Sequence, residues 1–171
     1  TLALNDAVVT AGPPYRMVTI AIRIDGHDGP TVTGDGLIVG TAIGSTAYNA
    51  SAGGPIISPD VPAIVITAIA PHTLSFRPVV VNLASTIELI MVQANDGGET
   101  PVGSMADLTN VATGTALVLD GQVPVRLRTR DKVIIRPHAK PVRFVRNPGR
   151  SYWQTLLTKM RWAAPPAVRS R

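Results

Sequence analysis

Hydroxyl groups, an aromatic ring and glycines are concentrated in one stretch of this chain, residues 34–56, which reads GDGLIVGTAIGSTAYNASAGGPI. Ser45, Thr46 and Ser51 supply hydroxyl donors and acceptors, and Tyr48 can stack on a ring or form a hydrogen bond. Glycines let a backbone bend and approach a ligand closely. The stretch predicts a site for a polar ligand. A tight surface loop is the alternative, because a glycine-rich loop alone is a weak indicator.

Four further short motifs lie outside residues 34–56. They are LND at residues 4–6, PHTLSFRP at 71–78, LDGQ at 119–122 and LLTKMRW at 156–162. Within residues 34–56 the blocks GDG, GSTAY and GGPI stand in that order. Together these motifs closely resemble the signature of the NAD kinases, and the resemblance covers nearly the whole chain. Asp6 stands where that family more often has Glu.

The resemblance implies an enzymatic activity. NAD kinases transfer a phosphoryl group from ATP, or from another donor such as polyphosphate, to the 2′-hydroxyl of the adenosine ribose of NAD, which gives NADP. Mg²⁺ or another divalent metal accompanies the nucleotide, and this chain itself is expected to supply no metal ligands. The resemblance also implies a homo-oligomer, a dimer or a tetramer, whose partners are NAD and a nucleoside triphosphate. We expect this protein in the cytoplasm.

The resemblance also implies which residues bind NAD. Asn5 and Asp6 would hold the adenosine part, and Asp35 would reach the nicotinamide end, in the family across a subunit interface. The residues that would line the adenine and ribose pocket are Thr46, Ala47, Tyr48 and Ser51. Further residues complete the implied NAD-binding set: Arg16, Thr33, Asn49, Ala50 and Gln122.

One element of the family is missing from these 171 residues. No Gly-Gly-Asp-Gly loop occurs, although in NAD kinases this loop cradles phosphates and carries the expected catalytic base. The catalytic residue is therefore unknown here, and we expect a C-terminal domain that is not active alone. We expect a β-sandwich NAD-binding domain over residues 1–150, a C-terminal helix and basic tail over 151–171, and an N-terminal α/β domain that this chain lacks.

Ordinary structural roles remain open for the same residues. Asn5 and Asp6 could turn or cap a strand, and Asp35 between two glycines could be a turn acid. Two other functions also remain open: a lipid kinase of the related diacylglycerol and sphingosine kinase group, and a non-catalytic dinucleotide-binding protein. The sequence shows no nucleophile triad, metal-ligand histidine pair or paired carboxylates for a hydrolase.

Charge is unevenly distributed along the chain. Residues before Arg126 include 3 basic and 10 acidic side chains, whereas from Arg126 onward there are 13 basic side chains and one acid. Arg126, Arg128 and Arg130 alternate with other residues, so a strand would place three guanidinium groups on one face. Such a stripe could contact phosphates or an acidic partner, and the alternative is a solvated face with a disordered basic tail. No helix-turn-helix or RNA-binding aromatic signature accompanies this charge, which disfavours nucleic acid as a partner.

The remaining pattern predicts an all-β fold, an antiparallel β-sandwich. Short β-rich segments separated by turn residues recur at 18–25, 37–41, 63–70, 79–82, 86–93, 116–120, 123–127, 132–136 and 142–145. Two helices are expected, a short one over 46–52 after Gly44 and a C-terminal one capped by Ser151 and Gln154. The longest apolar stretch, 61–70, is too short to span a bilayer, and no signal peptide is apparent, so we expect a soluble protein.

Overall fold

Ten antiparallel strands are present in a computed structural model that describes residues 1–95, 113–145, 147–149 and 151–161. The chain divides into two compact units, Thr1–His138 and Ala139–Arg171. All ten strands belong to the first unit: β1 Asp6–Thr10, β2 Val18–Ile24, β3 His27–Gly34, β4 Gly36–Thr41, β5 Ala63–Ile69, β6 Val79–Asn82, β7 Ile87–Gln93, β8 Ala116–Leu119, β9 Val123–Arg126 and β10 Lys132–Ile135.

The strands form two sheets. One has six strands in the order β6-β5-β4-β1-β8-β9, and the other has four strands in the order β10-β7-β2-β3. Apolar side chains from both sheets pack into one core, to which Val9 and Ile66 contribute from the first sheet and Ile20 and Leu89 from the second. The expected all-β antiparallel sandwich is confirmed.

The two sheets differ in how many of their faces are buried. In β2 buried and less buried residues alternate, which is typical of a strand with one face on the core. In β5 six consecutive residues are buried. The outer face of the six-stranded sheet is covered there by residues 42–57, because Ala42 and Ile57 cluster with Ala63 and Val65.

Two strands were not expected from the sequence. β1 begins at Asp6, within a motif that we interpreted as a ligand site. β3 contains Asp28-Gly29-Pro30, three residue types that are typical of turns. Pro30 is tolerated because β3 is an edge strand, where a missing amide donor breaks no central ladder. The turn lies before it, at Asp25 and Gly26, whose φ angles of 51° and 80° suit a two-residue hairpin.

Eight of the nine expected strands are present, with bounds shifted by at most one residue at either end, but 142–145 forms no strand. The expected face of three arginines is also wrong, because β9 ends at Arg126. Leu127 is buried in the core, and Arg128 and Arg130 lie in the turn before β10. The Arg128 amide donates to Asp131 Oδ2 at 2.7 Å, which stabilises that turn.

The helices are short. A 3-10 turn at Gly44–Thr46 precedes α1, Tyr48–Ser51, where we expected one helix over 46–52. In the second unit α2 spans Tyr152–Lys159, and its expected capping box between Ser151 and Gln154 is present. No helix among the described residues is long and apolar enough to cross a membrane.

Leu89 lies in the central strand β7 and is fully buried. Leu89→Ala should lower the free energy of unfolding by about 2–5 kcal/mol, because it removes apolar contacts and leaves a cavity. Urea denaturation measures this loss. Leu74→Ala is the matched control, since Leu74 is 93% exposed and its truncation should change stability by less than about 0.5 kcal/mol. Equal losses for the two variants would contradict the core position of Leu89.

Candidate functional site

A cleft of about 340 Å³ lies on the outer face of the six-stranded sheet. Side chains alternate between the faces of a strand, so Val9 points into the core while Asp6, Val8 and Thr10 of β1 point to the cleft. Val118 lies directly opposite Val8 on β8 and shares that face. The other residues that line the cleft are Asn5, Ala47, Tyr48, Asp120 and Gly121.

Three chain segments that are far apart in sequence meet at this cleft. They are residues 5–10, the start of α1 at 47–48, and residues 118–121 around the turn between β8 and β9. The meeting follows from the sheet order, because β1 pairs with β4, which leads into α1, and with β8 on its other side. The cleft therefore joins the Asn5-Asp6 motif to the hydroxyl-rich turn.

The Asp120 carboxylate binds the backbone of the Asn5-Asp6 motif. Its Oδ2 accepts a hydrogen bond from the Leu4 amide at 2.7 Å, and its Oδ1 accepts from the amides of Asn5 at 2.7 Å and Asp6 at 3.1 Å. The Asp120 amide also donates to the Asp6 carbonyl at 3.0 Å. This one side chain thus receives three successive N–H donors.

Thr41, at the end of β4, holds the same motif from its other side. The Thr41 hydroxyl donates to the Leu4 carbonyl at 2.8 Å, and the Thr41 amide donates to the Asn5 carbonyl at 2.9 Å. The hydroxyl also accepts from the Gly44 amide at 3.1 Å, which ties the glycine-rich turn to this junction. The backbone of residues 4–6 is therefore fixed between two strand ends.

The glycines of the turn allow close packing within the protein. A Cβ on Gly44 would collide with the Asn5 carbonyl oxygen, and one on Gly54 would collide with the side-chain amide of Asn49. We expected glycines here to let a ligand approach. At these two positions the approaching group is the protein's own backbone or side chain, so the requirement for glycine is structural.

Ser45 and Asn49 are fully buried beneath the turn. The Ser45 hydroxyl donates to the Ala42 carbonyl at 2.6 Å and accepts from the Ile57 amide at 2.9 Å. Asn49 Nδ2 donates to the carbonyls of Ser45 and Pro55, each at 3.0 Å, and its Oδ1 accepts from the Thr67 hydroxyl at 2.6 Å. Both side chains therefore hold the turn on the sheet, and neither lines the cleft.

The two carboxylates of the cleft have opposite pKa shifts. Burial of Asp6, which is 6% exposed, raises its pKa, and the negative charge of Asp120 raises it further. Burial by itself would raise the pKa of Asp120, but hydrogen bonds from the backbone amides of Leu4, Asp6 and Asn5 outweigh it and hold that pKa below its usual value. The pairing of β1 with β8 brings these like charges close together, and their repulsion is unfavourable.

The structure brings together four of the residues implied to bind NAD: Asn5, Asp6, Ala47 and Tyr48. Others lie on the same turn but do not line the cleft; they are Thr46, Asn49, Ala50 and Ser51. The Thr46 hydroxyl donates to the Ile43 carbonyl at 3.2 Å, and Ser51 is exposed. Gln122 is exposed next to Gly121, in the turn after β8.

Three implied residues lie elsewhere in the first unit. Asp35 is exposed between β3 and β4, at the opposite end of β4 from Thr41. The Thr33 hydroxyl shares a 3.0 Å hydrogen bond with that of Thr19 on the four-stranded sheet. Arg16 is exposed, and its carbonyl accepts from Asn95 Nδ2 at 2.6 Å. Their roles toward NAD stay predictions.

Our sequence interpretation missed several cleft residues: Val8, Thr10, Val118, Asp120 and Gly121. Two signals could have found them. Alternation along a strand that starts at Asp6 puts residues 8 and 10 on the Asp6 face. Asp120 and Gly121 lie in the LDGQ stretch, from which we expected only Gln122 to bind the ligand. Among the described residues, no group of three His, Asp or Glu side chains could hold a metal ion.

Most of this chain is similar to known proteins. Residues 4–147 match the family model for the ATP-NAD kinase C-terminal domain. An NAD kinase from Rhodopirellula baltica is 37% identical over 171 residues, which cover 99% of this chain and 49% of that protein. One from Geobacter metallireducens is 34% identical over 159 residues, covering 93% of this chain and 50% of that protein.

Two solved structures are similar in fold. The crystal structure of an Archaeoglobus fulgidus NAD kinase in complex with ATP aligns with a TM-score of 0.73 and 30% identity over 94% of this chain and 55% of that one. Yeast NADH kinase in complex with NADH aligns with a TM-score of 0.78 and 27% identity over 98% of this chain and 46% of that one.

The family model matches most of the chain, which assigns the chain to that family. The chain belongs to the ATP-NAD kinase C-terminal domain family. It spans about half the length of the curated relatives it matches.

Gly44→Ala should both destabilise the chain and displace the Asn5-Asp6 motif, because the new methyl group would overlap the Asn5 carbonyl oxygen. Overpacking of this kind costs about 1–3 kcal/mol, which urea denaturation measures. Gly40→Ala is a graded control, since its Cβ would lie 3.3 Å from Val65 Cγ1 and needs a smaller adjustment. A Gly44→Ala chain as stable as wild type would contradict this packing.

Asp6→Asn should change how stability depends on pH. Because folding raises the pKa of Asp6, the folded chain retains a proton there that the unfolded chain has lost. The free energy of unfolding therefore falls as pH rises from 3.8, the ordinary value, through the raised pKa. Because folding lowers the pKa of Asp120, the contribution of Asp120 to the free energy of unfolding rises with pH, and this rise occurs below pH 3.8. Asp6→Asn should remove the decrease in the free energy of unfolding that Asp6 causes above pH 3.8.

Urea denaturation at a series of pH values checks this expectation. The stability of Asp6→Asn relative to wild type should increase with pH above 3.8. Asp35→Asn is the control, since it removes the same charge from an exposed turn. A constant difference between Asp6→Asn and wild type across this range would show that burial of Asp6 imposes no ionisation cost.

Proposed function

We propose that this chain is the NAD-binding half of an NAD kinase, which phosphorylates the 2′-hydroxyl of the adenosine ribose of NAD to form NADP. The observation that carries the proposal is the cleft itself. It brings the Asn5-Asp6 motif within reach of Ala47 and Tyr48, although some forty residues separate the two motifs. The family match and the similar kinases support the same function.

The chemistry of the cleft suits an adenosine. Val8 and Val118 offer an apolar surface for a flat base, and Tyr48, 47% exposed, offers an aromatic ring beside it. Asn5 supplies both a donor and an acceptor, and the Asp6 carboxylate accepts hydrogen bonds from ribose hydroxyls. Ser51 and Thr46 of the turn would extend these contacts around the ribose.

The contribution of this chain to catalysis would be positioning. Phosphoryl transfer depends chiefly on holding the nucleophile in line and neutralising phosphate charge. A fixed ribose at the cleft presents its 2′-hydroxyl in one orientation. We propose that the donor, ATP or polyphosphate, arrives with Mg²⁺ and that the phosphate-cradling loop and catalytic base come from the half of the relatives that this chain does not match.

The assembly and location of the whole protein are part of the same proposal. We place it in the cytoplasm as a homo-oligomer, a dimer or a tetramer, in which Asp35 reaches the nicotinamide end of an NAD bound to another subunit. Asp35 is exposed between β3 and β4, which suits contact with a second copy.

Asp6→Ala should weaken NAD binding by roughly 10- to 150-fold, because a hydrogen bond to a charged group is worth about 1.5–3 kcal/mol. Isothermal titration calorimetry with NAD measures this, and we expect weak binding by the wild-type chain. Asp28→Ala is the matched control, because it removes the same charge from the other sheet. Arg128→Ala should also have little effect. Equal affinity for wild type and Asp6→Ala would reduce Asp6 to a structural role.

The purified 171-residue chain should form no measurable NADP from NAD with ATP and magnesium, because it contains no Gly-Gly-Asp-Gly loop. An enzymatic NADP assay tests this, with a full-length NAD kinase as positive control. Sustained NADP formation would show that the chain carries its own base. Binding of diacylglycerol or sphingosine in vesicles, without NAD binding, would instead favour the lipid kinase alternative.

A further inference from the structure

Asp120 makes more contact with the Asn5-Asp6 motif than any role in its own turn requires. A turn acid commonly binds amides within its own loop. The Asp120 carboxylate instead binds the amides of Leu4, Asn5 and Asp6, which are 114 to 116 residues away in sequence. Both carboxylate oxygens are occupied by backbone donors, so the side chain faces the motif.

The local backbone restricts what this position can contain. Asp120 has a φ of 49° and Gly121 one of 68°, both in the left-handed region. Apart from Gly, Asn and Asp adopt this region most readily. Asn would offer one acceptor oxygen and would turn an NH₂ group toward an amide N–H, whereas an ionised Asp offers two acceptors. Three N–H donors in a row therefore match Asp at this position.

The arrangement also has a cost that a purely structural contact would avoid. Asp120 directly follows β8, its amide donates to the Asp6 carbonyl, and its charge disfavours the ionised form of Asp6. An apolar residue at 120 would remove this repulsion but would leave three amides without their acceptor. The three amide contacts therefore favour a carboxylate at position 120, although it lies beside the buried carboxylate of Asp6.

We propose that Asp120 is the positioning residue of the NAD site: its carboxylate fixes the backbone of Leu4, Asn5 and Asp6, so that the side chains of Asn5 and Asp6 face the cleft. Asp120 acts on NAD through these two residues and not by direct contact. The inference rests on the proposed function, since it assigns a role within the same site.

Asp120→Asn tests the proposal, because Asn tolerates the left-handed backbone while losing the charge and one acceptor oxygen. Asp25→Asn is a closely matched control. Asp25 also precedes a glycine, has a φ of 51°, and accepts a hydrogen bond from a distant amide, that of Thr86, at 2.8 Å. It lies in the turn between β2 and β3, on the other sheet.

The first measurement is amide hydrogen exchange in the 171-residue chain. Asp120→Asn should speed exchange at Leu4, Asn5 and Asp6 by at least about tenfold, while Leu89 in β7 keeps its protection. Asp25→Asn should leave residues 4–6 unchanged. Unchanged exchange at residues 4–6 in Asp120→Asn would overturn the proposal. Loss of protection at Leu89 as well would also overturn it, because Asp120 would then support the whole sandwich.

The second measurement is calorimetric titration with NAD across a double-mutant cycle. Asp120→Asn should weaken binding by about tenfold or more, and Asp25→Asn should not weaken it. If Asp120 acts through the motif, the loss in Asp6→Ala/Asp120→Asn is clearly smaller than the product of the two single losses. Losses that multiply would show that Asp120 acts independently of Asp6, which overturns the positioning role.

The two measurements separate this inference from the proposed function. A wild-type chain that shows no NAD binding at millimolar concentrations would contradict the proposed function, and the exchange data would still decide whether Asp120 fixes residues 4–6. If the wild-type chain binds NAD and Asp120→Asn binds it with the same affinity, the proposed function stands and the inference is overturned.

Discussion

The pairing of β1 with β4 on one side and β8 on the other is the constraint on which the candidate site depends. This pairing carries the end of β4, with Thr41, to one side of residues 4–6 and the end of β8, with Asp120, to the other. Both strand ends then bind the backbone of the same motif through charged or hydroxyl side chains. The cleft lies where these three strands and α1 meet.

This arrangement places two carboxylates side by side at the edge of a partly apolar cleft. The backbone amides that bind Asp120 stabilise its negative charge, whereas Asp6 is buried without such donors in the described structure and its pKa rises. A buried carboxylate without hydrogen-bond donors is stabilised when the hydroxyl groups of a ligand donate to it. The burial of Asp6 lowers the stability of the ligand-free chain, and for the same reason it favours binding of a ligand with several hydroxyl groups, such as a ribose.

The turn that carries Ala47 and Tyr48 is held by internal contacts rather than by a long helix. Gly44 packs on the Asn5 backbone, and the amide of Asn49 joins the turn to Thr67 on β5. Because these contacts are fully buried, the turn is part of the packed outer face of the sheet. Tyr48 is therefore presented from a packed support, which is consistent with the proposed role of this chain in positioning a substrate.

The sequence by itself determined the sandwich class, most strand positions and the two motifs of the site, because alternating apolar residues, turn glycines and the ordered family motifs are local signals. Local signals also misled: Gly29-Pro30 indicated a turn, but the edge position of β3 tolerates the proline. Only the tertiary structure decided that Asp120 belongs with Asn5 and Asp6 and that Gly44 is required by the Asn5 carbonyl. These contacts join residues that are distant in the chain, and strand register, which depends on the packing of whole sheets, brings them together.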